Sequence, residues 1–302
     1  MEPVAVHTLD LRFQGEPGVI AAFLVEGPEG LALIETGPGS TLPALREGLA
    51  GLGVAPERVG DVFVTHIHLD HAGAAGWWAR QGATVHVHPR GAAHLIDPAR
   101  LLESARMVYG ERMDPLWGEM LPAPAERVRA PADGEITRAA GLEIRALDTP
   151  GHARHHHAWA IGGTLFAGDV AGARLPGSDY VSVTSAPPQF DPEAYDASIA
   201  RLEAEGFERL YLTHFGLFEG VAEHLAAYRE AVRRASDFVR DRLREGMDAE
   251  SLQVAYQAFQ MEQAFRLGAP PEIWAGCQLA NPAAMCADGI RLYWEKRFGS
   301  PN

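Results

Sequence analysis

The stretch THIHLDHAG, Thr65 to Gly73, brings His66, His68, Asp70 and His71 together within six positions. Imidazole nitrogens and carboxylate oxygens are the groups that hold zinc in catalytic sites, where one coordination position stays open for water. Four such groups crowd a single tetrahedral ion. They suit two adjacent ions if further ligands arrive from elsewhere. Three later stretches each finish an apolar run on such a group: LDTPGH at His152, LFAGD at Asp169 and LYLTH at His214. The candidate set is five histidines and two aspartates around two metals.

The chemistry follows from the ions. A metal lowers the pKa of bound water from about 15.7 toward ~7, so hydroxide becomes available at neutral pH. A hydroxide bridging two metals can attack a carbonyl or phosphoryl centre. The metal face then stabilises the negative charge that develops, as an oxyanion hole does. Asp70 is the candidate catalytic residue besides being a ligand, since it can act as general base if one ion is missing.

These groups need a frame that delivers strand ends to one place, and the N-terminal half reads as alternating strands and helices of an α/β fold. VIAAFLVEG and LALIETG form a hairpin through PEG. STLPALREGLAGLG reads as a helix with its N-cap at Ser40 or Thr41 and a glycine stop. DVFVTH is a buried strand that delivers His66, and TVHVHP is another. Residues 91 to 121 look like a helical insertion between strands. Strands return at LEIRALDTPGH and in the strand, glycine turn, strand of AWAIGGTLFAGDV. A Gly/Pro/Ser-rich loop covers about 171 to 188, a helix starts near Pro192, and RLYLTHFG is the last strand. From about Phe218 the chain is helical, with an apolar stripe through Leu225, Tyr228 and Val232.

The motifs ETGPG, THIHLDHAG, DTPGHARHH, LFAGD and LYLTHFG, in this order, resemble the metallo-β-lactamase fold superfamily over roughly residues 1 to 218. The resemblance implies a four-layer αββα sandwich with a C-terminal helical extension. It implies a catalytic domain at 1–218, with the insertion at about 91–121, and a helical region at 219–302. It implies that His66, His68 and His152 hold one metal, that Asp70, His71 and His214 hold the other, and that Asp169 bridges them. Two zinc ions are the expected cofactor, with iron or manganese as alternatives. Glu35 stands where the family usually has aspartate, which leaves the ligand set intact but changes the local geometry.

Other residues carry a plainer reading. His86 and His88 also spell H-x-H, on one strand face, but no Asp-His follows and they read as structural. His156 fits the longer pattern PGH-x-x-x-H beside the ligands, or is simply part of a polar loop. His155 and His157 fall outside the ligand set, and His7, His94 and His224 read as surface or packing residues. Trp77 and Trp78 read as packing, and Phe215 as a candidate wall of the site. Cys277 and Cys286 read as reduced, inert thiols.

The 302 residues carry a formal net charge of -14, with 47% hydrophobic and 22% charged side chains. That balance suits a folded protein and argues against nucleic acid as the main partner, which needs a basic face. No apolar run reaches the ~18 to 20 residues that span a bilayer. The N-terminus lacks the features of a signal peptide, so a cytoplasmic location is expected.

Among the activities that the resemblance implies, the leading expectation is a hydrolase of a small ester, thioester or lactone. A mononuclear iron sulfur dioxygenase, needing only His66, His152 and Asp169, is the alternative. A nuclease and a non-catalytic binding scaffold rank below. Family lactonases often carry a tyrosine three residues after the bridging aspartate; here that position is Gly172, with Tyr180 as a candidate substitute. A glutathione site of the glyoxalase II type would have to use C-terminal arginines, since Lys296 is the single lysine. The C-terminal helices are expected to cap the pocket, to pair two copies of the chain, or both.

Overall fold

In the computed structural model, residues 4–299 are described. One mixed sheet holds β1 (Ala5–Asp10), β2 (Ala21–Gly27), β3 (Gly30–Ile34), β4 (Val59–Phe63), β5 (Thr84–His86) and β6 (Val128–Arg129), in that spatial order. A second holds β7 (Ile136–Ala139), β8 (Leu142–Asp148), β9 (His157–Ile161), β10 (Thr164–Phe166), β11 (Arg209–Leu212) and β12 (Gly216–Phe218). The first three strands pair antiparallel and β3 to β6 pair parallel. In the second sheet only β10 and β11 run parallel.

Side-chain alternation explains why the sheets stack. In β2, Ala21, Phe23 and Val25 enter a core shared with Trp159, Phe166 and Tyr211 of the other sheet. Their neighbours Ala22 and Leu24 face the opposite way, into a core with α1 (Leu42–Gly51), α2 (Leu69–Ala72) and α3 (Ala75–Arg80). In the second sheet, Leu147, Ala158, Leu165 and Leu210 turn outward onto α7 (Pro192–Glu205) and the C-terminal helices. Period-two patterning therefore yields two sheets with helices on both outer faces, the expected αββα arrangement. Each large side chain so withdrawn, such as Phe23 or Trp159, contributes roughly 1.5 to 3 kcal/mol.

The insertion is helical as expected: α4 (Ala92–Ile96), α5 (Ala99–Tyr109) and α6 (Met113–Trp117). The C-terminal part forms α8 (Val221–Arg244), α9 (Ala249–Arg266), α10 (Pro271–Ala280) and α11 (Ala283–Phe298). Its stripe of Leu225, Tyr228 and Val232 is buried in the same core as the outer face of the second sheet. None of the described helices is long and apolar enough to cross a membrane.

Three local readings change. Neither Ser40 nor Thr41 caps α1 with its side chain: the Ser40 hydroxyl donates to the Leu116 carbonyl at 2.6 Å and that of Thr41 to Pro38 at 3.1 Å. The first of these bonds ties the insertion to the body of the fold. The strand in TVHVHP ends at His86, so His88 lies in the following loop. Strands β1, β6, β7 and β12 have too little apolar alternation of their own to stand out in the sequence, and they form because neighbouring strands offer free edges.

Candidate metal centre

Four loops meet at one end of the sandwich. The loop after β4 carries Thr65, His66 and His68, and α2 carries Asp70 and His71. His152 follows β8, Asp169 lies in a single tight turn after β10, and His214 follows β11. Gly168 has φ +54, and a Cβ there would lie 2.5 Å from the Thr65 hydroxyl, so only glycine lets the Asp169 turn close against the histidine loop.

The seven residues converge as two adjacent groups. His68 Nδ1 lies 3.0 Å from His66 Nε2 and 2.8 Å from His152 Nε2. Asp70 Oδ2 lies 3.6 Å from His71 Nε2 and 3.5 Å from His214 Nε2. Asp169 sits between the groups with one oxygen toward each. Its Oδ2 is 3.4 Å from His152 Nε2, while its Oδ1 is 3.3 Å from His71 Nε2 and 3.6 Å from His214 Nε2.

Tautomers make these groups competent to hold cations. His66, His71, His152 and His214 each commit Nδ1 to a protein oxygen, in turn Thr65 Oγ1, Glu35 Oε1, Thr184 O and Val19 O, at 2.8 to 3.0 Å. Each Nδ1–H donates outward, which leaves Nε2 bare toward the centre. His71 Nε2 and Asp169 Oδ1 are buried without a hydrogen-bond partner, although they face each other. Three bare imidazole nitrogens in mutual contact, beside an orphaned carboxylate oxygen, fit a pair of cations. The two groups therefore have the composition of a dinuclear hydrolytic site.

The two groups differ in charge. Burial, followed by the neighbouring His71, His68 and His152, pushes His66 well below the usual histidine range. Burial and His152 do the same to His68. In the other group, burial works against ionisation but the partners win. Asp70 is held at about 2 by His71 and His214, and His71 is raised well above its ordinary value by Asp70, Glu35 and Asp169. One group is thus made of imidazole nitrogens alone, and the other is rich in carboxylate.

Glu35 is fully buried behind the centre. Its carboxylate accepts from Thr65 Oγ1 at 2.5 Å, Thr65 N at 3.2 Å, His71 Nδ1 at 2.9 Å and Thr213 Oγ1 at 3.2 Å. The longer side chain does not leave the usual aspartate's place empty; it gathers three loops. A second support comes from the far side. Thr184 accepts from His152 through its carbonyl and donates from Oγ1 to the Asp169 carbonyl at 2.7 Å. Tyr195 of α7 donates to the Thr184 carbonyl at 2.6 Å, and the Tyr228 hydroxyl of α8 is 3.0 Å from Thr184 Oγ1. Nothing in the loop around Thr184 marks this role in the sequence, because the partners lie on distant helices.

Above the centre is a cavity of about 370 Å³, lined by Asp70, His68, His152 and Asp169 at its floor. Its walls come from the insertion, the loop ending at Gln189, and the residues from Gln278 to Met285. His94, read from the sequence as a surface or packing residue, also lines it, as does His155. Tyr180 does not substitute for the lactonase tyrosine: it is buried and donates to Gln260 at 2.8 Å. No arginine of the C-terminal helices lines the cavity among the described residues; Arg100 and Arg112 of the insertion do.

The remaining residues fall mostly as expected. Trp78 is fully buried in the outer core and Trp77 packs beneath Arg46. Phe215 packs against the core between the sheets instead of the cavity. His156 donates Nδ1–H to Thr149 and accepts the Asp169 N–H at 3.1 Å, so it positions the Asp169 turn. His86 stacks on Phe63 and bonds to Asp61. His88, Asp148 and His157 lie close together, but His88 Nδ1 accepts the Arg90 N–H, which puts its proton on Nε2 against Asp148. That is a hydrogen bond, not a ligand set. Cys277 and Cys286 are free and buried.

A sequence profile described as "Metallo-beta-lactamase superfamily" matches residues 15–214. The metallo-beta-lactamase fold-containing protein ST1585 of Sulfurisphaera tokodaii is 31% identical over 144 residues, 46% of this chain and 54% of that protein. The chain thus aligns with only about half the length of that relative. Two solved structures share the fold at low identity. A metallo-beta-lactamase family protein of Thermus thermophilus superposes with a TM-score of 0.66 at 20% identity, over 99% of this chain and 95% of its own. A B3 metallo-beta-lactamase with an active-site glutamic acid gives 0.53 at 24% identity, over 72% and 82%.

Proposed function

The chain belongs to the metallo-beta-lactamase superfamily, and on that premise we propose that it is a dinuclear metal-dependent hydrolase of a small-molecule ester, thioester or lactone. The observation that carries this reading is Asp169, with one oxygen toward each group of ligands. In the proposed assignment His66, His68 and His152 hold one ion, Asp70, His71 and His214 the other, and Asp169 bridges. A nitrogen-rich set with a few carboxylates matches zinc better than iron or manganese. The metal pair, when bound, supplies an activated water and a Lewis-acidic face for the substrate carbonyl.

The chain's own residues do the rest. Asp70 faces the cavity, and with its carboxyl held at about 2 it is a ligand first and a weak base second. Glu35 and His156 hold the ligands in register from behind the cavity, and Thr184 does so from within its lining. The cavity volume lies in the range of small-molecule sites. A mononuclear dioxygenase would leave His68, Asp70, His71 and His214 without a task.

We read residues 1–218 as the catalytic domain and 219–302 as a helical region that closes one side of the cavity; the outermost bounds lie outside the described residues. The exposed Val254, Met261 and Phe265 form one stripe on α9 and support pairing of two copies through these helices. We further propose a cytoplasmic location, and the excess of acidic over basic residues supports a small molecule over a nucleic acid as the partner. The test is a panel of p-nitrophenyl esters, acyl thioesters and lactones with the native chain and His66→Ala. Hydrolysis that falls at least about 100-fold in the variant supports the proposal. Equal hydrolysis in both proteins overturns it.

A further inference from the structure

Within the proposed hydrolase reading, we infer that the substrate pairs an apolar acyl portion with an anionic group, and that Arg100 and Arg112 of the insertion bind the anion. The cavity walls above the ligand floor are mostly apolar, with Leu101 and Val108 from α5 facing Leu279 and Met285 from the C-terminal helices. Such walls suit a hydrocarbon chain, with the polar side chains Ser104, Gln189, Gln278 and Asn281 set among them.

The charged lining is more telling. Besides Asp70 and Asp169, which belong to the metal centre, every charged lining residue is an arginine: Arg100 and Arg112. The chain as a whole has 40 acidic and 26 basic residues, and many of its arginines are neutralised by a carboxylate, Arg145 by Glu205 and Arg229 by Asp196 among them. Neither Arg100 nor Arg112 has an ion-pair or hydrogen-bond partner among the described residues, and neither stands near a lining carboxylate outside the metal centre. Arg112 also stands near Tyr109, another lining residue, whose hydroxyl burial keeps un-ionised. Two exposed guanidiniums, one near each end of α5 in a mostly apolar wall on a strongly acidic chain, are the lining groups that attract a carboxylate, phosphate or sulfonate. The insertion thereby becomes the element that selects substrate, because it supplies both the arginines and part of the apolar wall.

Both arginines are exposed, so their replacement leaves the fold intact. The test is calorimetric titration of the metal-loaded native chain and of Arg100→Gln/Arg112→Gln with octanoate and with its neutral counterpart octanamide. Octanoate is expected to bind the native chain more tightly than octanamide. The double variant should lose about tenfold in octanoate affinity, the scale of two solvent-exposed ion pairs, with octanamide unchanged. The native advantage should also shrink at high salt. Octanoate affinity that ignores the substitutions overturns the inference, as does equal binding of the two compounds by the native chain. Because binding is read without turnover, arginine-dependent binding in a chain that hydrolyses no ester would refute the hydrolase and leave the ligand class standing.

Discussion

Replacing Glu35 by glutamine tests whether the buried carboxylate organises the metal centre. The substitution keeps the volume but removes the charge, and it sets an NH₂ group against four donors, from Thr65 N, Thr65 Oγ1, His71 Nδ1 and Thr213 Oγ1. Hydrogen bonds to a charged group are worth roughly 1.5 to 3 kcal/mol against roughly 0.5 to 1.5 for neutral pairs. Losing about 1 kcal/mol at each of three or so bonds, with partial relaxation, gives a stability loss of about 2 to 4 kcal/mol. The effect on metal is selective. His71 loses the acceptor that fixes its tautomer, which costs about 10- to 100-fold in affinity at its group. The His66, His68 and His152 trio meets Glu35 only through the Thr65 hydroxyl beside His66, while His152 rests on Thr184, so it should lose less. Chelator competition with zinc, read beside calorimetric melting, separates the two effects. One weakened and one nearly native binding class is expected. Native melting and two native affinities would refute the role given to Glu35. The same change at exposed Glu47 should alter stability by less than about 0.5 kcal/mol.

Asp169→Asn should abolish paired metal binding and lower hydrolysis at least about 100-fold, read by turnover with added zinc, while far-ultraviolet circular dichroism stays native. Tyr228→Phe removes the hydroxyl that reaches Thr184, so zinc affinity should fall about tenfold with a loss of only about 1 kcal/mol in the metal-free chain; equal losses with and without metal would mean a purely structural role. Burial pushes the thiols of Cys277 and Cys286 up to about 12 and about 11, so a disulfide reagent at pH 8 should label neither until the chain unfolds.

The ligand-bearing part of the site was legible because its residues combine rare types with fixed positions at strand ends. His66, His68, Asp70 and His71 crowd one loop, and the apolar runs before His152, Asp169 and His214 announce the strands that deliver them. The sandwich was legible for a related reason: period-two burial in β2, β8 and β9 leaves one apolar set for each face. The supports were harder to see. Thr184, Tyr195 and Tyr228 are ordinary residues far apart in sequence, and only the packing of α7 and α8 on the second sheet brings their hydroxyls together. Tyr180 was misplaced for the opposite reason. Its chain position suited the site, but its ring was claimed by the core beneath α9 and α10. The pocket walls were legible as segments and not as residues, because an amphipathic helix shows which side is apolar without naming its partner.

The central claim is that two groups of ligands hold two metal ions. It is tested most directly by elemental mass spectrometry on the native chain and on His66→Ala, both purified without added metal. About two ions per native chain, falling to one or fewer in the variant, are expected from the two converging groups. A native chain without bound metal, or a count that ignores the loss of His66, would contradict the dinuclear centre.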